Sequence, residues 1–568
     1  MTDLRKFSAA PASRHIPDWL LPLGVFLLLS LCIVIPFFFY GTASGHDFEF
    51  HSASWFDVAS QWKQGVLYPR WTAWTNHGFG EPRFIFYPPL SWIIGAALTL
   101  LVPDVAVPIV FIVLIQTFAG LSAYFLLRNL VSRRAAILAA ACYLFNPNAL
   151  LMTYIRSDYA EQLACAFFPL VLLAALRLSG LLDNSRRKNS YIALFAIPYA
   201  CVWLSNAPAG VIISYSVALL FAWAAFSQRS CQPLLRGAGG LALGLGLTAF
   251  YLIPAAYEQR WVNIGQALSS GLLPYQNFLF TEINDPEHTW FNWIASICAI
   301  CLILILALAA LASRRFAGNA SQQNRNASLA LLLLGAAATI LTLRFTLPIW
   351  TFLPKLRFVQ FPWRWMSILA LVAVCFLAFA IEKRLGWLWF VILLFLSVPL
   401  AWFQTQNTWW DTDEMPTMRD TLNSGQGFDG VDEYDPVGDD HLDLPANAPE
   451  VRILPADSET SAPPKANVQV LHWTTKQKEI RVDTPSEARV ALRVLNYPAW
   501  RVAVNGKSLA PERLDDINQM VVPVQAGTST ITVVFVRTGD RKLGDAVAAA
   551  SGLIAIFLLW SGRKKSET

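Results

Sequence analysis

The sequence predicts a polytopic α-helical membrane protein with about 12 transmembrane helices, an outer juxtamembrane element and a C-terminal extracytoplasmic β-sandwich domain. Three observations lead to this prediction. Of the 568 residues, 55% are hydrophobic and only 14% are charged, whereas a soluble domain carries about 25% charged residues. Apolar runs such as residues 19–40 are long enough to cross a hydrocarbon core of about 30 Å. Residues 487–496 and 529–538 instead alternate apolar and polar side chains, as strands do.

The basic residues set the expected orientation. Positively charged loops stay in the cytoplasm, so we expect both termini and the loop 128–134 to lie there. Two apolar stretches, 84–102 and 104–127, precede the loop 128–134. If both crossed the membrane, this basic loop would face outwards. We therefore predict that 84–102, which begins FIFYPPL, is a juxtamembrane or re-entrant element on the outer side. The expected location is a bacterial inner membrane, with the outer loops and the β domain in the periplasm.

The chain divides into four segments by composition. The segment 403–465 is acidic and rich in Pro and Gly, so irregular structure is expected there. The strand-like runs after it enclose Asn505–Gly506, which predicts a hairpin turn. The predicted segments are 1–402, a transmembrane module with outer loops 41–103, 152–162, 257–290 and 344–364; 403–465, the acidic segment; 466–543, the β-sandwich-like domain; and 544–568, the last transmembrane helix with a basic cytoplasmic tail.

Composition also excludes several classes of protein. The net charge of +5 comes from residues in short loops between apolar runs, which is the usual membrane pattern. Membrane lipids are therefore expected partners and nucleic acid is not. The sequence has no Walker A loop, no GxGxxG after a strand, no HExxH and no GxSxG. Chemistry on a soluble nucleotide at the cytoplasmic face consequently has no visible site, and a divalent cation is the one cofactor left open.

The first outer loop begins with GHDFEFH, directly past the end of the first apolar run. Ionisable residues beside a bilayer are costly and are candidates for function. Asp47 could serve as a general base or metal ligand, and His46 and His51 could orient it or bind phosphate; a hydrated helix end is the alternative. After them, apolar residues including Trp55 and Trp62 recur at helical spacing, which predicts an amphipathic helix lying on the membrane surface.

Acidic residues also mark the two following outer loops. Asp158 and Glu161 stand three residues apart at a helix start, where they could share a cation or a sugar hydroxyl, or cap the helix through its dipole. If a metal binds, Asp47 and Asp158 are its candidate ligands. Glu258 ends an apolar helix, and it is a weaker catalytic candidate because an acid at such an exit is usually solvated.

The outer loop 344–364 is basic, although the other outer loops contain few basic residues. Arginine forks bind lipid phosphate or pyrophosphate bidentately, so the loop predicts a site for the phosphate of a donor. Snorkelling to headgroups is the alternative explanation. The candidate residues in this loop are Arg344, Lys355, Arg357 and Arg364.

Six stretches through most of the chain resemble a family of bacterial multi-spanning membrane proteins labelled "6-pyruvoyl-tetrahydropterin synthase-related", which is akin to the YfhO-like proteins and to the GT-C glycosyltransferase class. No zinc-binding His cluster supports the pterin label. The resembling stretches are GHDFEFH (45–51), GEPRFIFYPPLSW (80–92), RSDYAEQLA (156–164), AFYLIPAAYE (249–258), RFVQFPWRW (357–365) and LNYPAWRVAVNG (495–506).

The resemblance implies a polyprenyl-phosphate-linked sugar as donor and an acidic catalytic residue in the first outer loop. Asp47 matches that position, Asp158 and Glu161 match the second acidic site, and Pro88–Pro89 match the paired prolines that follow the first motif. This sequence has His-Asp where the class often has DxD, so a metal requirement stays open.

The function expected from these observations is a membrane glycosyltransferase that transfers a sugar to an envelope glycan, lipid or protein at the periplasmic face. Asp47 would act as the base, and Arg357 and Arg364 would hold the leaving phosphate. Two other hypotheses are kept: a transporter or flippase of a lipid-linked glycan, and a non-catalytic envelope scaffold whose β domain binds glycan. Substitution of Asp47 discriminates between the hypotheses, because only the enzyme needs a base.

Overall fold

The computed structural model describes residues 17–182, 189–314, 322–382, 388, 398–438, 444–456, 462–514 and 517–564. This part of the chain is mostly helical, with two antiparallel sheets near the C-terminus. The α-helices are Leu20–Ile33 (α1), Phe37–Tyr40 (α2), Phe48–Lys63 (α3), Arg83–Phe86 (α4), Pro89–Thr99 (α5), Val107–Leu127 (α6), Arg133–Leu144 (α7), Pro147–Leu151 (α8), Tyr159–Leu178 (α9), Ser190–Ser205 (α10), Ala207–Gln228 (α11), Gln232–Leu247 (α12), Ala249–Glu258 (α13), Pro286–Arg314 (α14), Gln322–Leu341 (α15), Leu347–Phe352 (α16), Met366–Ile381 (α17), Glu414–Ser424 (α18) and Gly539–Lys564 (α19).

Eight helical stretches in the described residues are long and apolar enough to cross a membrane, or up to 10 if each of two bent pairs is one span. The multi-pass membrane architecture is therefore present, but the number 12 is not reached. One predicted span corresponds to α10, which has only 16 residues, and another falls largely on 383–387 and 389–397, outside the described residues. The eight stretches are Leu20–Tyr40, Asp104–Leu127, Arg133–Arg156, Tyr159–Leu178, Ala207–Gln228, Pro286–Ser313, Pro362–Ile381 and Gly539–Ser561.

Two of the candidate spans are broken by sharp bends. The pair Gln232–Leu247 and Ala249–Trp261 is bent by 77°, and the pair Arg325–Leu341 and Arg344–Phe352 by 92°. The stretch 84–102 contains α5, an apolar helix of 11 residues that begins at Pro89. At about 1.5 Å per residue, such a helix is too short to cross a core of about 30 Å.

The apolar face of α3, which begins within GHDFEFH, packs against protein and is not free to act as the predicted membrane-surface anchor. Trp55 in α3 is fully buried and stacks on Phe111 of α6 with ring centroids 5.1 Å apart. A Cβ on Gly95 of α5 would come within 2.2 Å of the Trp55 indole nitrogen, so α3 and α5 pack closely. The prediction was wrong because an apolar stripe at helical spacing fits packing against protein as well as against lipid.

The C-terminal strands form one four-stranded and one five-stranded sheet. Apolar and polar residues alternate as expected, and Ile480 and Val490 from the two sheets belong to one buried cluster. Asn505 and Gly506 adopt positive φ in the predicted hairpin turn. The strands are Thr42–Ala43 (β1), Trp410–Asp411 (β2), Val451–Pro455 (β3), Asn467–Trp473 (β4), Gln477–Thr484 (β5), Ala488–Leu495 (β6), Trp500–Val504 (β7), Lys507–Leu509 (β8), Glu512–Leu514 (β9), Gln519–Val524 (β10) and Gly527–Phe535 (β11), ordered β3-β6-β10-β9 and β4-β5-β11-β7-β8, with β1 pairing β2 separately.

The segment 403–465 contains more regular structure than its composition indicated. It includes α18, β2 and β3. Because β3 pairs with β6, the four-stranded sheet begins before residue 466. The strand β1, which follows the first span, pairs with β2. The acidic segment is thereby joined both to the helical part and to the sheets.

The sheets pack directly on the first outer loop. The Trp71 ring lies 5.6 Å from the Tyr497 ring and 5.5 Å from the Trp500 ring. Phe79 and Phe86 of the same loop belong to the buried cluster of the sheets. The outer loops and the sheets therefore share a hydrophobic core, which holds the loop residues in place over the helix ends.

Candidate functional site

A cavity of about 710 Å³ is lined by residues of the loops 41–103, 152–162, 257–290 and 344–364, and Val431, Glu433 and Tyr434 form part of its wall. Outer loops that are far apart in sequence all contribute to its wall. Its charged and polar lining residues include His46, Asp47, Arg156, Asp158, Asp285, Glu287, His288, Gln360, Arg364 and Glu433, and its aromatic ones are Phe50, Phe86, Tyr87, Trp290, Phe291, Phe361, Trp363, Trp409 and Tyr434. Such a size and mixture are typical of a small-molecule site.

Asp47 is fixed by close contact between the first and second outer loops. Its backbone N–H donates to the Arg156 carbonyl at 2.9 Å, and the Gly45 N–H donates to Ser157 Oγ at 3.1 Å. A Cβ on Gly45 would lie 2.3 Å from the Ile155 carbonyl oxygen. Only glycine permits this approach of two backbones, so the loop sequence itself brings Asp47 to Arg156.

Arg156 connects the two acidic loops. Its guanidinium pairs with Asp47 Oδ2, and its Nη2 lies 3.3 Å from Asp158 Oδ2. The group is buried, and its Cζ lies 5.2 Å from the Trp363 ring centroid. Charge-assisted hydrogen bonds of this kind are stronger than neutral ones, so Arg156 holds the two carboxylates at a fixed separation.

Asp158 also caps α9 as its sequence position predicts, since its Oδ1 accepts from the Glu161 N–H at 2.8 Å. Arg364 extends the ion pairs: its Nε donates to Glu161 Oε2 at 2.9 Å and its Nη2 lies 3.8 Å from Asp158 Oδ2. We call this set of five residues the Asp47 cluster. It places three carboxylates against two guanidinium groups; four of the five members line the cavity, whereas Glu161 is buried and is not a lining residue. Its members are Asp47, Arg156, Asp158, Glu161 and Arg364.

The two histidines of GHDFEFH point to different places. His51 is buried, and its Nε2 lies 3.7 Å from Asp158 Oδ1, so it faces the second acid and not Asp47. The His46 ring lines the cavity 5.1 Å from the Phe291 ring. Partial removal from bulk water and the positive charge of Arg156 lower the pKa of His46. A neutral imidazole is therefore favoured there.

Electrostatics in the Asp47 cluster favour an ionised Asp158. Burial opposes its charge, but the nearby His51, Arg156 and Arg364 side chains keep the pKa of Asp158 below its ordinary value. Burial and the charges of Asp158 and Asp47 raise the pKa of the Tyr87 phenol. Tyr87 consequently stays a neutral hydrogen-bonding group in the cavity wall.

The other predicted basic residues are not brought into the cavity. Arg344, Lys355 and Arg357 are exposed and are not among its lining residues. Arg357 Cζ lies 5.2 Å from the ring of its neighbour Phe358. Of the predicted phosphate-binding arginines, only Arg364 reaches the site.

Glu258 lies in a separate cluster, the Glu258 cluster, with Arg541 and Tyr497. Arg541 Nε and Nη2 donate to its two carboxylate oxygens at 2.7 and 2.8 Å, and the Tyr497 hydroxyl donates to Oε2 at 2.6 Å. Its side chain is fully buried. The cluster joins α13 to a strand connection and to α19, and none of its residues lines the cavity.

Sequence reasoning missed Arg156 and Glu433. Arg156 stands within RSDYAEQ between two acidic motifs, and its basic charge on an acidic outer loop was a signal that could have found it. Glu433 lies in the acidic segment, whose many carboxylates gave no signal for one of them.

The residues present bear on the open question of a metal. No group of three or more His, Cys, Asp or Glu side chains that could hold a metal ion occurs among the described residues. The position between Asp47 and Asp158, where a shared cation would lie, is taken by the Arg156 guanidinium. The two candidate metal ligands are thus neutralised by a cation that the chain itself provides.

The chain is similar to one solved structure and to one protein family. The chain is similar to the apo oligosaccharyltransferase of Archaeoglobus fulgidus with a TM-score of 0.39 and 16% identity over 69% of this chain and 56% of that one, so it spans little more than half of that protein. No curated protein matches the sequence. Residues 84–408, more than half of the chain, match the family model for the 6-pyruvoyl-tetrahydropterin synthase related domain, described as a membrane protein. The chain therefore belongs to the 6-pyruvoyl-tetrahydropterin synthase related family of membrane proteins, as its motifs indicated.

Proposed function

We propose that the protein is a GT-C-type glycosyltransferase that transfers a sugar from a polyprenyl-phosphate-linked donor to an envelope glycan, lipid or protein. The observation that carries the proposal is the position of Asp47. Its carboxylate follows the first spanning stretch directly, keeps 32% of its side-chain surface exposed and lines the cavity beside the buried Arg156. A carboxylate held at a fixed depth next to cationic groups suits attack on a phosphate-linked sugar at the membrane surface.

In the proposed reaction, Asp47 accepts the proton of an acceptor hydroxyl while the hydroxyl oxygen bonds to the anomeric carbon of the donor sugar. The bond from that carbon to the phosphate oxygen breaks, and its electron pair leaves with the polyprenyl phosphate. Arg156 and Arg364 are the phosphate-binding groups. Arg156 Nη1 is buried with no hydrogen-bond partner among the described residues, which leaves one donor for a phosphate oxygen.

Substitution of Asp47 tests the proposal. Asp47→Asn keeps the shape of the side chain and removes the base, and general-base catalysis contributes about 10²–10⁴-fold. We expect transfer in detergent or proteoliposomes to fall by that factor, while membrane insertion and thermal unfolding stay unchanged. Glu49→Gln is the matched control, because Glu49 is an exposed acid two residues away that does not line the cavity. Wild-type transfer by Asp47→Asn would remove this residue as the base.

The same variants discriminate the two other functions. A flippase of a lipid-linked glycan needs the arginines but no base, so Asp47→Asn would retain lipid movement. For a scaffold, changes in the β region would matter and changes in the cavity would not. We propose that the two sheets form a β-sandwich that helps recruit the acceptor and is dispensable for the chemical step.

The proposal also requires that the cavity faces the periplasm and that both termini are cytoplasmic. Ser132 Oγ donates to Glu382 at 2.6 Å, and Arg133 lies 3.7 Å from Asp18, so these residues share the basic end of the helices. Positive residues favour the cytoplasm. We expect a reporter fused after residue 131 to read cytoplasmic and one fused after residue 470 to read periplasmic. A periplasmic signal at 131 would overturn this orientation.

A further inference from the structure

The acidic segment around residue 433 is a fixed wall of the cavity. On one side it is attached to the first outer loop: the Asn76 amide donates to Asp435 Oδ1 at 2.7 Å, and the Val431 N–H donates to Glu81 Oε2 at 3.0 Å. Glu81 is itself fully buried and pairs with Arg83 at 2.6 Å. These contacts use buried charged and polar groups, which are costly to separate.

On its other side the segment is attached to the loop after α13. The Asn263 N–H donates to the Asp435 carbonyl at 2.9 Å, and the Val437 N–H donates to the Trp261 carbonyl at 3.0 Å. A third contact returns to the first outer loop: the Tyr434 ring stacks on Phe86 with an interplanar angle of 6° and centroids 5.9 Å apart. Attachment on both sides leaves Glu433 at a fixed position in the cavity lining.

Glu433 differs from the carboxylates of the Asp47 cluster in its surroundings. No salt bridge joins Glu433 to a basic side chain among the described residues, although Arg83 is near enough to act on its charge. Val431 and Tyr434, from the same segment, line the cavity with it. A carboxylate that lines a cavity together with aromatic side chains, and that has no arginine in a salt bridge with it, is suited to accept hydrogen bonds from a polyhydroxylated ligand whose apolar ring faces contact the aromatic groups. Burial, followed by the charges of Glu81 and Asp432, raises the pKa of Glu433 to about 7, against the lowering effect of Tyr434 and Arg83.

We propose that Glu433 determines specificity by accepting hydrogen bonds from hydroxyl groups of the donor sugar. This inference rests on the proposed function and deepens it. The Asp47 cluster engages the anomeric carbon and the phosphate, so the sugar attached to that phosphate extends from the cluster into the cavity, where Glu433 is the carboxylate supplied by the acidic segment. A site built to hydrogen-bond a hydroxyl rejects analogues that lack it.

The experiment compares binding of a sugar lipid with binding of undecaprenyl phosphate, which carries no sugar. Undecaprenyl-phosphate glucose and the corresponding mannose, galactose and N-acetylglucosamine lipids are first tested to find the sugar that binds best. Binding of each lipid to the full-length protein is measured for the wild type, Glu433→Gln and Glu49→Gln. Glu49 is the matched control because it is exposed and does not line the cavity. We expect Glu433→Gln to weaken binding of the best sugar lipid about tenfold and to leave binding of undecaprenyl phosphate unchanged.

The following outcomes would overturn the inference or the proposed function behind it. Equal loss for both lipids, or a lowered thermal midpoint in Glu433→Gln, would show a structural role and overturn it. An effect on acceptor KM alone would overturn the assignment to the donor sugar. If Glu433→Gln binds both lipids like the wild type while Asp47→Asn abolishes transfer, the inference is overturned and the proposed function stays intact. If the wild type neither transfers sugar nor binds any sugar lipid, the proposed function itself is overturned.

Discussion

The Asp47 cluster and the Glu258 cluster are both built from buried arginines and helix-end acids, yet they differ in what they face. In the Glu258 cluster, Arg541 reaches both carboxylate oxygens and Tyr497 donates to one of them, and Glu258 is fully buried. In the Asp47 cluster, Asp47 keeps about a third of its side chain exposed to the cavity. Burial and an arginine partner are common to both, so neither identifies a functional acid. The distinguishing feature is an opening to a cavity that can admit a ligand.

The largest effect that tests this comparison is expected at Glu258. Removing one partner of a buried ion pair costs about 3–5 kcal/mol, so Glu258→Gln should lower the thermal midpoint of the purified protein strongly. Transfer by the fraction that remains folded at low temperature should stay near wild type. Tryptophan fluorescence and a transfer assay on the same sample measure both quantities.

The control for that experiment is the double variant Glu258→Leu with Arg541→Leu, in which no buried charge is left unpaired. It should recover part of the stability lost in Glu258→Gln. A Glu258→Gln protein that unfolds like the wild type but fails to transfer sugar would break the comparison and return Glu258 to the list of catalytic candidates.

A smaller effect separates the two arginines that the sequence proposed for phosphate. Arg364→Ala removes a cavity residue, and loss of a charge-assisted hydrogen bond costs about 1.5–3 kcal/mol, or about ten- to hundredfold in donor affinity. Arg357→Ala removes an exposed residue outside the cavity, and its affinity should change less than about threefold, as for a surface charge. Equilibrium binding of undecaprenyl phosphate measures both; equal losses would mean that phosphate binds outside the cavity.

The smallest expected effect is a pH dependence of sugar-lipid binding through Glu433. Its pKa is raised by burial first and then by Glu81 and Asp432, against the lowering effect of Tyr434 and Arg83, to about 7. Because this carboxyl gains most of its charge as pH rises from 6 to 8, and hydrogen bonds to a charged acceptor are stronger by about 1 kcal/mol, sugar-lipid affinity should increase about three- to fourfold over that range. Glu433→Gln should abolish this increase while binding of undecaprenyl phosphate keeps the wild-type profile.

The sequence was sufficient for features that depend on local pattern. Apolar runs, the Asn505–Gly506 turn and the helix cap at Asp158 are each determined by a few neighbouring residues, and all are present. Asp47 could be singled out because a polar cluster directly after a spanning run is visible in one dimension.

The remaining features depend on contacts between distant segments. Arg357 and Arg364 look equivalent in sequence, but each lies in its own short 3-10 turn, Leu356–Val359 and Pro362–Trp365. As a result, Arg357 is exposed and Arg364 is buried. The burial of Trp55 depends on α5, which covers it. Glu433 acquires its position through contacts to residues far earlier in the chain, such as Val431 with Glu81 and Asp435 with Asn263. No periodicity reports such contacts.

The contribution of residues 431–434 to the cavity wall has a consequence for biogenesis. Those residues, the sheets and Arg541 all belong to the last quarter of the chain, so a ribosome releases them after most of the helices have been made. A nascent chain would present Asp47 and its arginines in an unfinished cleft without the wall that carries Glu433. If Glu433 selects the sugar lipid as proposed, selection begins only after residues 431–434 have been made, and a chain truncated before residue 403 would insert into the membrane without becoming selective.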